Sequence, residues 1–273
     1  MLRARIISAL VLVPVVLIGL FLSPVTTALL TGIAAIIGTS EFYTMAVKSR
    51  YNFRPLPIPG CILAASFSLA GYFQRLDLMF LAIGLFALII LLISYNREPS
   101  LKAGKYEFTS NWALTVFAPV YAGLPLGLIT FIRTHFDGHA TAYWWILLAL
   151  LVTWGADTGA YFVGRNFGRH KLAPKISPNK TVEGALGGIV IGTLIVALIG
   201  GLGLNIELYW TIPLGIGLTI GSILGDLFES WVKRRFDIKD SGKLIPGHGG
   251  LLDRIDSFLV VAVLVDLFIA AYR

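Results

Sequence analysis

Apolar positions in this chain form long uninterrupted runs, and short polar stretches separate the runs. A membrane-spanning helix needs about 20 consecutive apolar residues to cross a hydrocarbon core about 30 Å thick. The runs therefore predict an all-α, polytopic integral membrane protein with about nine transmembrane helices. The expected helices lie at about 6–22, 25–47, 56–73, 77–95, 112–132, 141–163, 182–203, 208–230 and 255–272.

The first run leaves two questions. It follows Arg3 and Arg5, as the apolar part of a signal peptide would, but it lacks a convincing small-x-small cleavage site and a second run follows at once. We therefore interpret it as a membrane helix. Ser23-Pro24 is expected to form either a turn between two helices or a kink in one long helix.

Lysine and arginine are distributed unevenly among the segments that connect the predicted helices. With nine helices, all of the 22 cations except Arg75, Arg133 and Arg273 fall at the N-terminus or in the even-numbered loops. The positive-inside rule assigns that side to the cytoplasm. We expect a multi-pass protein of the cell inner (plasma) membrane with its active site facing the cytoplasm. The net charge of +7 suits lipid headgroups and nucleotides. No nucleic-acid partner is expected, because there is no soluble basic domain.

Polar chemistry is concentrated in the C-terminal part of the chain. We divide the chain into N-terminal transmembrane helices, residues 1–150, and C-terminal transmembrane helices that carry the candidate site, residues 151–273. The single cysteine, Cys61, excludes an internal disulfide. Glycines at every fourth position predict close helix packing. They are Gly184, Gly188 and Gly192 in the seventh predicted helix, and Gly217, Gly221 and Gly225 in the eighth.

The first polar cluster begins within the sixth predicted helix. Asp157 is a carboxylate in an otherwise apolar segment, a costly position that usually marks a functional group or a buried partner. Cations follow it, and the next helix is expected to begin at Ser177-Pro178 or at Thr181. A helix N-terminus among cations can bind an anion, although some of these cations have the alternative role of anchoring the membrane edge. The cations are Arg165, Arg169, Lys171, Lys175 and Lys180.

A second cluster ends the eighth predicted helix. Asp226, Glu229, Ser230 and Lys233 follow the spacing i, i+3, i+4 and i+7, which puts them on one helical face. A solvated amphipathic helix end has the same pattern. The functional interpretation is that acids, a hydroxyl and a lysine in one stripe hold a hard cation and a phosphate together.

A third cluster lies between the last two predicted helices. Asp253 and Asp256 are expected on one face at the start of the final helix, where acids are also favourable without any function. Arg254 can bind phosphate or neutralise these acids. The turn 246–250 contains His248, and its glycines let the backbone approach a ligand closely. Carboxylates without cysteine or a second nearby histidine favour Mg²⁺ over zinc.

Together the clusters predict metal-assisted chemistry on a polyphosphate at one membrane face, with a lipid substrate entering from the bilayer. Each cluster combines acids with cations. The motifs GxxxxGK[ST] and GxGxxG are absent, so the two common soluble nucleotide-binding loops are excluded.

Two blocks of residues carry a resemblance to a known family. One is Asp157-x-x-Ala160-Tyr161-x-x-Gly164-Arg165 with Ser177-Pro178-x-Lys180-Thr181-x-Glu183-Gly184. The other is Ser230-x-x-Lys233-Arg234, Lys239-Asp240-x-Gly242 and Pro246-x-His248-Gly249-Gly250-x-x-Asp253-Arg254-x-Asp256. These blocks resemble the phosphatidate cytidylyltransferases, the CDP-diacylglycerol synthases. The N-terminal half agrees with that family only in being helical and membranous.

The resemblance implies that CTP and phosphatidate react to give CDP-diacylglycerol and pyrophosphate. It also implies Mg²⁺ as cofactor, with a second cation as an option, metal binding by Asp226 and Asp253, and a homodimer. Asp256 and Lys233 join the expected catalytic set with Glu229 in support, and His248 orients a carboxylate or phosphate. The expected substrate-binding residues are Asp157, Arg165, Ser177, Lys180, Ser230, Arg234, Lys239 and Arg254.

Two other functions fit parts of the pattern. A CTP-dependent lipid or polyprenol kinase also needs acids and cations at the membrane edge, but it would release CDP instead of pyrophosphate. An ion-coupled transporter would use Asp157 and Asp226 to carry protons or sodium. Transporters place such groups near the membrane midplane, whereas here they gather at one face.

Overall fold

A computed structural model describes residues 2–51, 53–97, 107–136, 140–247 and 249–272 of the protein. Within these ranges the chain forms nine helices and one short two-stranded sheet. The strands are β1 (Lys171–Ala173) and β2 (Ser177–Thr181). The helices are α1 (Leu2–Phe21), α2 (Pro24–Lys48), α3 (Pro57–Tyr72), α4 (Leu76–Arg97), α5 (Glu107–His135), α6 (Ala140–Phe167), α7 (Val182–Gly203), α8 (Leu208–Arg235) and α9 (Leu252–Tyr272).

The helices confirm the predicted all-α, polytopic membrane architecture. Each predicted apolar segment corresponds to one helix. Among the described residues, seven helices are long and apolar enough to cross a membrane. The remaining two, α1 and α3, contribute the shorter apolar stretches Leu10–Phe21 and Pro57–Tyr72. The expected number of nine crossings is therefore approximate.

Ser23 separates α1 from α2 by forming a helix cap, so the turn, not the kink, is correct. Its Oγ accepts a hydrogen bond from the Thr26 backbone N–H at 3.1 Å, and Thr26 Oγ1 accepts one from the Ser23 N–H at 3.0 Å. Pro24 occupies the first turn of α2, where a missing N–H costs nothing because that group has no partner within the helix.

Thr181 begins α7, and the alternative start at Ser177-Pro178 is wrong. The Thr181 hydroxyl accepts a hydrogen bond from the Gly184 N–H at 3.1 Å, as a helix cap does. Ser177 instead belongs to β2, which pairs antiparallel with β1 through Lys171–Thr181 and Ala173–Ser177. This β1–β2 hairpin was not predicted from the sequence.

The chain divides into two compact units, Met1–Thr134 with Arg235–Arg254, and His135–Arg234 with Ile255–Arg273. We call them the first and second units. Because α9 begins at Leu252, its first turn belongs to the first unit and the rest to the second. The predicted division at residue 150 separates helices without candidate site residues from helices that carry them, and it stays a prediction.

Small residues bring helices together in the first unit. A Cβ added to Gly123 of α5 would lie 2.8 Å from the Ala64 Cα of α3, so these backbones are in direct contact. The Thr31 and Thr130 hydroxyls, on α2 and α5, lie 2.7 Å apart and are buried. The core of this unit therefore lies between α2, α3 and α5.

Close packing of α7 against α6 in the second unit confirms the first glycine stripe. A Cβ on Gly188 would lie 2.9 Å from the Ala156 carbonyl oxygen of α6. In α8, a Cβ on Gly225 would lie 2.9 Å from the Asp256 carbonyl oxygen of α9. Gly217 was predicted to pack in the same way, but it faces open space with no described atom within 4 Å of an added Cβ. The prediction is wrong there: Gly217 shares the i, i+4 stripe with Gly221, but no described residue packs against the stripe at that turn of α8.

Candidate functional site

The end of α8 carries a stripe of interacting side chains in the second unit. Lys233 Nζ lies 3.0 Å from Glu229 Oε2, and the Glu229 side chain is only 1% exposed. The Ser230 hydroxyl donates to Asp226 Oδ1 at 3.3 Å. Both contacts join residues four positions apart, as a shared helical face requires. This confirms that the predicted residues lie on one face.

Lys180, at the end of the β1–β2 hairpin, forms an ion pair with Asp226 on α8. The distance between Nζ and Oδ2 is 2.5 Å, and the two side chains are 26% and 30% exposed. The first and second predicted clusters therefore meet within this unit. Both side chains keep access to a ligand.

Asp256 extends the α8 stripe to α9. It is buried, lies close to Glu229, and interacts electrostatically with Asp226 and Lys233. Its Oδ1 also accepts the Ser257 N–H at 2.6 Å. Neighbouring carboxylates repel one another unless positive charge compensates them, and Lys233 and Lys180 supply that charge.

Two arginines of α6 and α8 lie in the same unit. Arg234, at the end of α8, donates from Nε to the Ile176 carbonyl at the hairpin turn, at 3.3 Å. Arg165 donates to the Tyr161 hydroxyl at 2.9 Å on the exposed face of α6. Asp157, also on α6, has an exposed side chain rather than a buried one. The substrate-binding roles of these residues stay predictions.

Glu183 holds the base of the hairpin, a role that the sequence analysis did not assign. Its carboxylate accepts the Arg169 N–H at 3.0 Å and lies 2.6 Å from His170 Nδ1. Glu183 is in the first turn of α7, where a carboxylate is favourable. An acid two residues after the capping Thr181 was the available signal.

Asp253, in the first unit, is fixed by the loop that precedes α9. Its Oδ2 accepts backbone hydrogen bonds from Ser241 and Gly250, each at 2.9 Å. Gly249 has φ +87°, and a Cβ added to it would lie 2.7 Å from the same oxygen. The predicted close backbone approach therefore occurs, but toward Asp253. The loop determines where this carboxylate points.

Glu41 of α2 contacts the same loop and was missed entirely. Its carboxylate accepts hydrogen bonds from the Ser241 hydroxyl at 3.2 Å and from the backbone N–H groups of Leu251 at 3.0 Å and Leu252 at 2.8 Å. Glu41 is buried, with 8% exposure. The available signal was an acid inside an apolar segment, the same signal that drew attention to Asp157.

The other predicted residues of the third cluster have simpler surroundings. Lys239 and Arg254 are exposed. His248 lies outside the described residues. Ser177, predicted to bind substrate, is half-buried in β2. The roles predicted for these residues stay predictions.

The donor chemistry of the acids fits Mg²⁺. Carboxylate oxygens are hard ligands, and Mg²⁺ typically uses one or two carboxylates together with substrate phosphates. Within the described part of the chain, no three acid, histidine or cysteine side chains form a group that could hold a metal ion.

Known proteins resemble this chain over nearly its full length. The model of the cytidylyltransferase family matches residues 3–272. A phosphatidate cytidylyltransferase of Staphylococcus haemolyticus is 33% identical over 272 residues, covering 97% of this chain and 96% of the relative. The Bacillus subtilis protein of that name is 38% identical over 203 residues, covering 74% and 72%. One from Staphylococcus aureus is 32% identical over 265 residues, covering 97% and 96%. Because the family model and these relatives match most of the chain, this chain, with its membrane helices and the acid–lysine stripe at the end of α8, belongs to the cytidylyltransferase family.

Proposed function

We propose that this protein is a CTP:phosphatidate cytidylyltransferase, which transfers CMP from CTP to phosphatidate to form CDP-diacylglycerol and pyrophosphate in phospholipid biosynthesis. The observation that carries this conclusion is the match over residues 3–272, together with relatives of that name aligned over 96% of their length. The α8 stripe supports it, because lysines and acids at a helix end suit a polyphosphate and its cation.

The reaction needs positioning and charge neutralisation more than proton transfer. A phosphatidate phosphate oxygen attacks the α-phosphorus of CTP, a new P–O bond forms, and the bond to the β-phosphate breaks to release pyrophosphate. Such transfers depend mainly on in-line alignment and on neutralising the phosphoryl oxygens. Phosphatidate is already ionised at neutral pH, so no strong general base is required, and His248 is not given that role.

Individual residues of the second unit have distinct parts in this proposal. Lys180 and Lys233 present their ammonium groups to the CTP phosphates, beside the carboxylates with which they pair. Arg234 and the hairpin add positive charge at the end of α8. Ser230 orients Asp226. Buried Glu229 and Asp256 hold the lysine and the stripe in place.

Asp226 and Asp253 would hold Mg²⁺, and the surroundings of each carboxylate support this part of the proposal. Asp226 is partly exposed beside Lys180, and Asp253 is oriented by two backbone N–H groups. When bound, the ion would neutralise phosphate oxygens and stabilise the departing pyrophosphate. A second cation and a homodimer, both implied by the family resemblance, complete the proposal.

A product assay tests the reaction. Purified protein in detergent, given phosphatidate, Mg²⁺ and CTP labelled at the α-phosphorus, is expected to transfer the label to the lipid. CTP labelled at the γ-phosphorus is expected to yield labelled pyrophosphate and unlabelled lipid. The reverse result, a lipid labelled from the γ-phosphorus with release of CDP, would show a lipid or polyprenol kinase instead.

The proposed orientation places the even-numbered loops in the cytoplasm. Contacts within each unit support it, because Arg50, after α2, pairs with Asp237 at 3.3 Å, and Lys180, before α7, pairs with Asp226 at the end of α8. The positive-inside rule assigns this cation-rich side to the cytoplasmic face of the plasma membrane.

Thiol labelling tests this orientation. In a Cys61→Ser background, a Glu207→Cys variant in intact cells is expected to react with a membrane-impermeant maleimide. A Lys243→Cys variant is expected to react only after the membrane is opened. Labelling of Lys243→Cys in intact cells would show that the proposed orientation is inverted.

A further inference from the structure

Glu41 places a carboxylate in the membrane-spanning helix α2, where an acid is unfavourable unless other groups stabilise it. It lies within a candidate membrane span and is buried. An ionised carboxylate in such surroundings is costly unless hydrogen-bond donors compensate it. Among the described residues Glu41 obtains three donors, which come from the segment 241–252.

Two of these donors are the backbone N–H groups that open α9. The first N–H groups of a helix have no partner within the helix, and they carry partial positive charge that favours an anion. Leu251 donates to Glu41 Oε1 and Leu252 to Oε2, so each oxygen takes one of them. Glu41 therefore acts as a cap for α9, although it lies 211 residues away from Leu252 in sequence.

The third donor connects Glu41 to Asp253. The Ser241 hydroxyl donates to Glu41 Oε2 at 3.2 Å and accepts the Asp253 N–H at 3.3 Å. The Ser241 N–H in turn donates to Asp253 Oδ2 at 2.9 Å. A continuous set of hydrogen bonds thus runs from the α2 carboxylate through Ser241 to the carboxylate expected to bind the metal.

Two glycines make room for this arrangement. A Cβ on Gly242 would lie 2.6 Å from Glu41 Oε1, and one on Gly250 would lie 2.6 Å from Oε2. Any other residue at either position would push the carboxylate away from its donors. The glycines at these two positions therefore leave the space that the Glu41 carboxylate occupies.

We infer that Glu41 is a positioning residue for the proposed reaction: it caps α9 and, through Ser241, fixes the orientation of Asp253. The kinetic effect of Glu41 rests on the proposed function, whereas its contacts with α9 and Ser241 do not. The N-terminal helices thereby contribute a residue to the organisation of the active site, whereas the sequence analysis gave them none.

Hydrogen exchange measures the contact directly and without substrate or metal. In Glu41→Ala, the peptide containing residues 249–256 is expected to exchange about tenfold faster than in the wild type, because the Leu251 and Leu252 amides lose their acceptor. Peptides from the N-terminal half of α2 are expected to be unchanged. Thr44→Val is the matched control, since the Thr44 hydroxyl donates to the Ser40 carbonyl of its own helix.

Kinetics separate positioning from a merely structural role. In Glu41→Gln, which keeps the shape and one acceptor oxygen, the Mg²⁺ concentration for half-maximal activity is expected to rise about tenfold, with a smaller change in the KM for phosphatidate. Gly242→Ala is expected to have the same effect without altering Glu41 itself. Because this second variant displaces the carboxylate indirectly, it keeps the test decisive if Glu41 variants fold poorly.

The outcomes are distinguishable. Unchanged exchange of residues 249–256 in a folded Glu41→Ala variant, or an unchanged Mg²⁺ requirement in Glu41→Gln and Gly242→Ala, would overturn the inference. Rapid exchange of these amides in the wild type would do the same. The wild type could form no CDP-diacylglycerol while Glu41→Ala still loses the exchange protection of residues 249–256. That result would refute the proposed function but support the positioning of the loop by Glu41.

Discussion

Asp253→Asn is expected to lower cytidylyl transfer by about 100-fold or more, because it removes a negative charge where the reaction requires electrostatic stabilisation. The substitution conserves size and leaves one oxygen, which can still accept the Ser241 and Gly250 N–H groups that now bind Oδ2. The loop should therefore keep its structure. Turnover in detergent with CTP, phosphatidate and saturating Mg²⁺ measures the loss.

Asp237→Asn is the matched control for this variant. It removes the same charge from the connection that leads into α9, at a residue with φ +57°, a conformation that asparagine tolerates well. The Asp237 partner is Arg50, in an exposed pair with side chains 57% and 61% exposed, and such pairs contribute little to stability. Its activity is expected to stay within about twofold of wild type. A folded Asp253→Asn protein with near-normal turnover would refute the metal-binding role.

Asp226→Asn is expected to cause a loss of similar size, about 100-fold, since it removes the second proposed metal ligand. Lys180 complicates the interpretation, because the two residues form an ion pair at 2.5 Å. The loss could then reflect either chemistry at Asp226 or an unpaired Lys180. The exchanged variant, Lys180→Asp with Asp226→Lys, separates these explanations.

The exchanged variant keeps the pair of opposite charges but reverses their positions. If Asp226 binds the metal and Lys180 the phosphate, thermal unfolding in detergent should return close to the wild-type temperature while turnover stays as low as in Asp226→Asn. Recovery of turnover together with stability would mean that the pair has only a structural role. Glu207→Gln, an exposed acid in the connection between α7 and α8, controls for the loss of one negative charge.

Local features of the fold could be predicted because they depend on short stretches of sequence. The helices follow from the length of the apolar runs, and Thr181 starts α7 because its hydroxyl caps a backbone N–H three residues later. The same holds for Ser230 and Asp226, whose contact needs only the geometry of one helix. The β1–β2 hairpin escaped prediction since its strands are short and polar, without the alternation that marks a half-buried sheet.

For the candidate site, the sequence by itself determined which side chains are available: the acids and cations that end α8 and begin α9, and the glycines between them. Only the tertiary structure decided their partners. Lys180 meets Asp226, and Glu41 meets the N–H groups of Leu251 and Leu252, through contacts between elements far apart in the chain. Residue spacing along one helix specifies a face of that helix, but which distant group lies against the face is decided by how the helices pack.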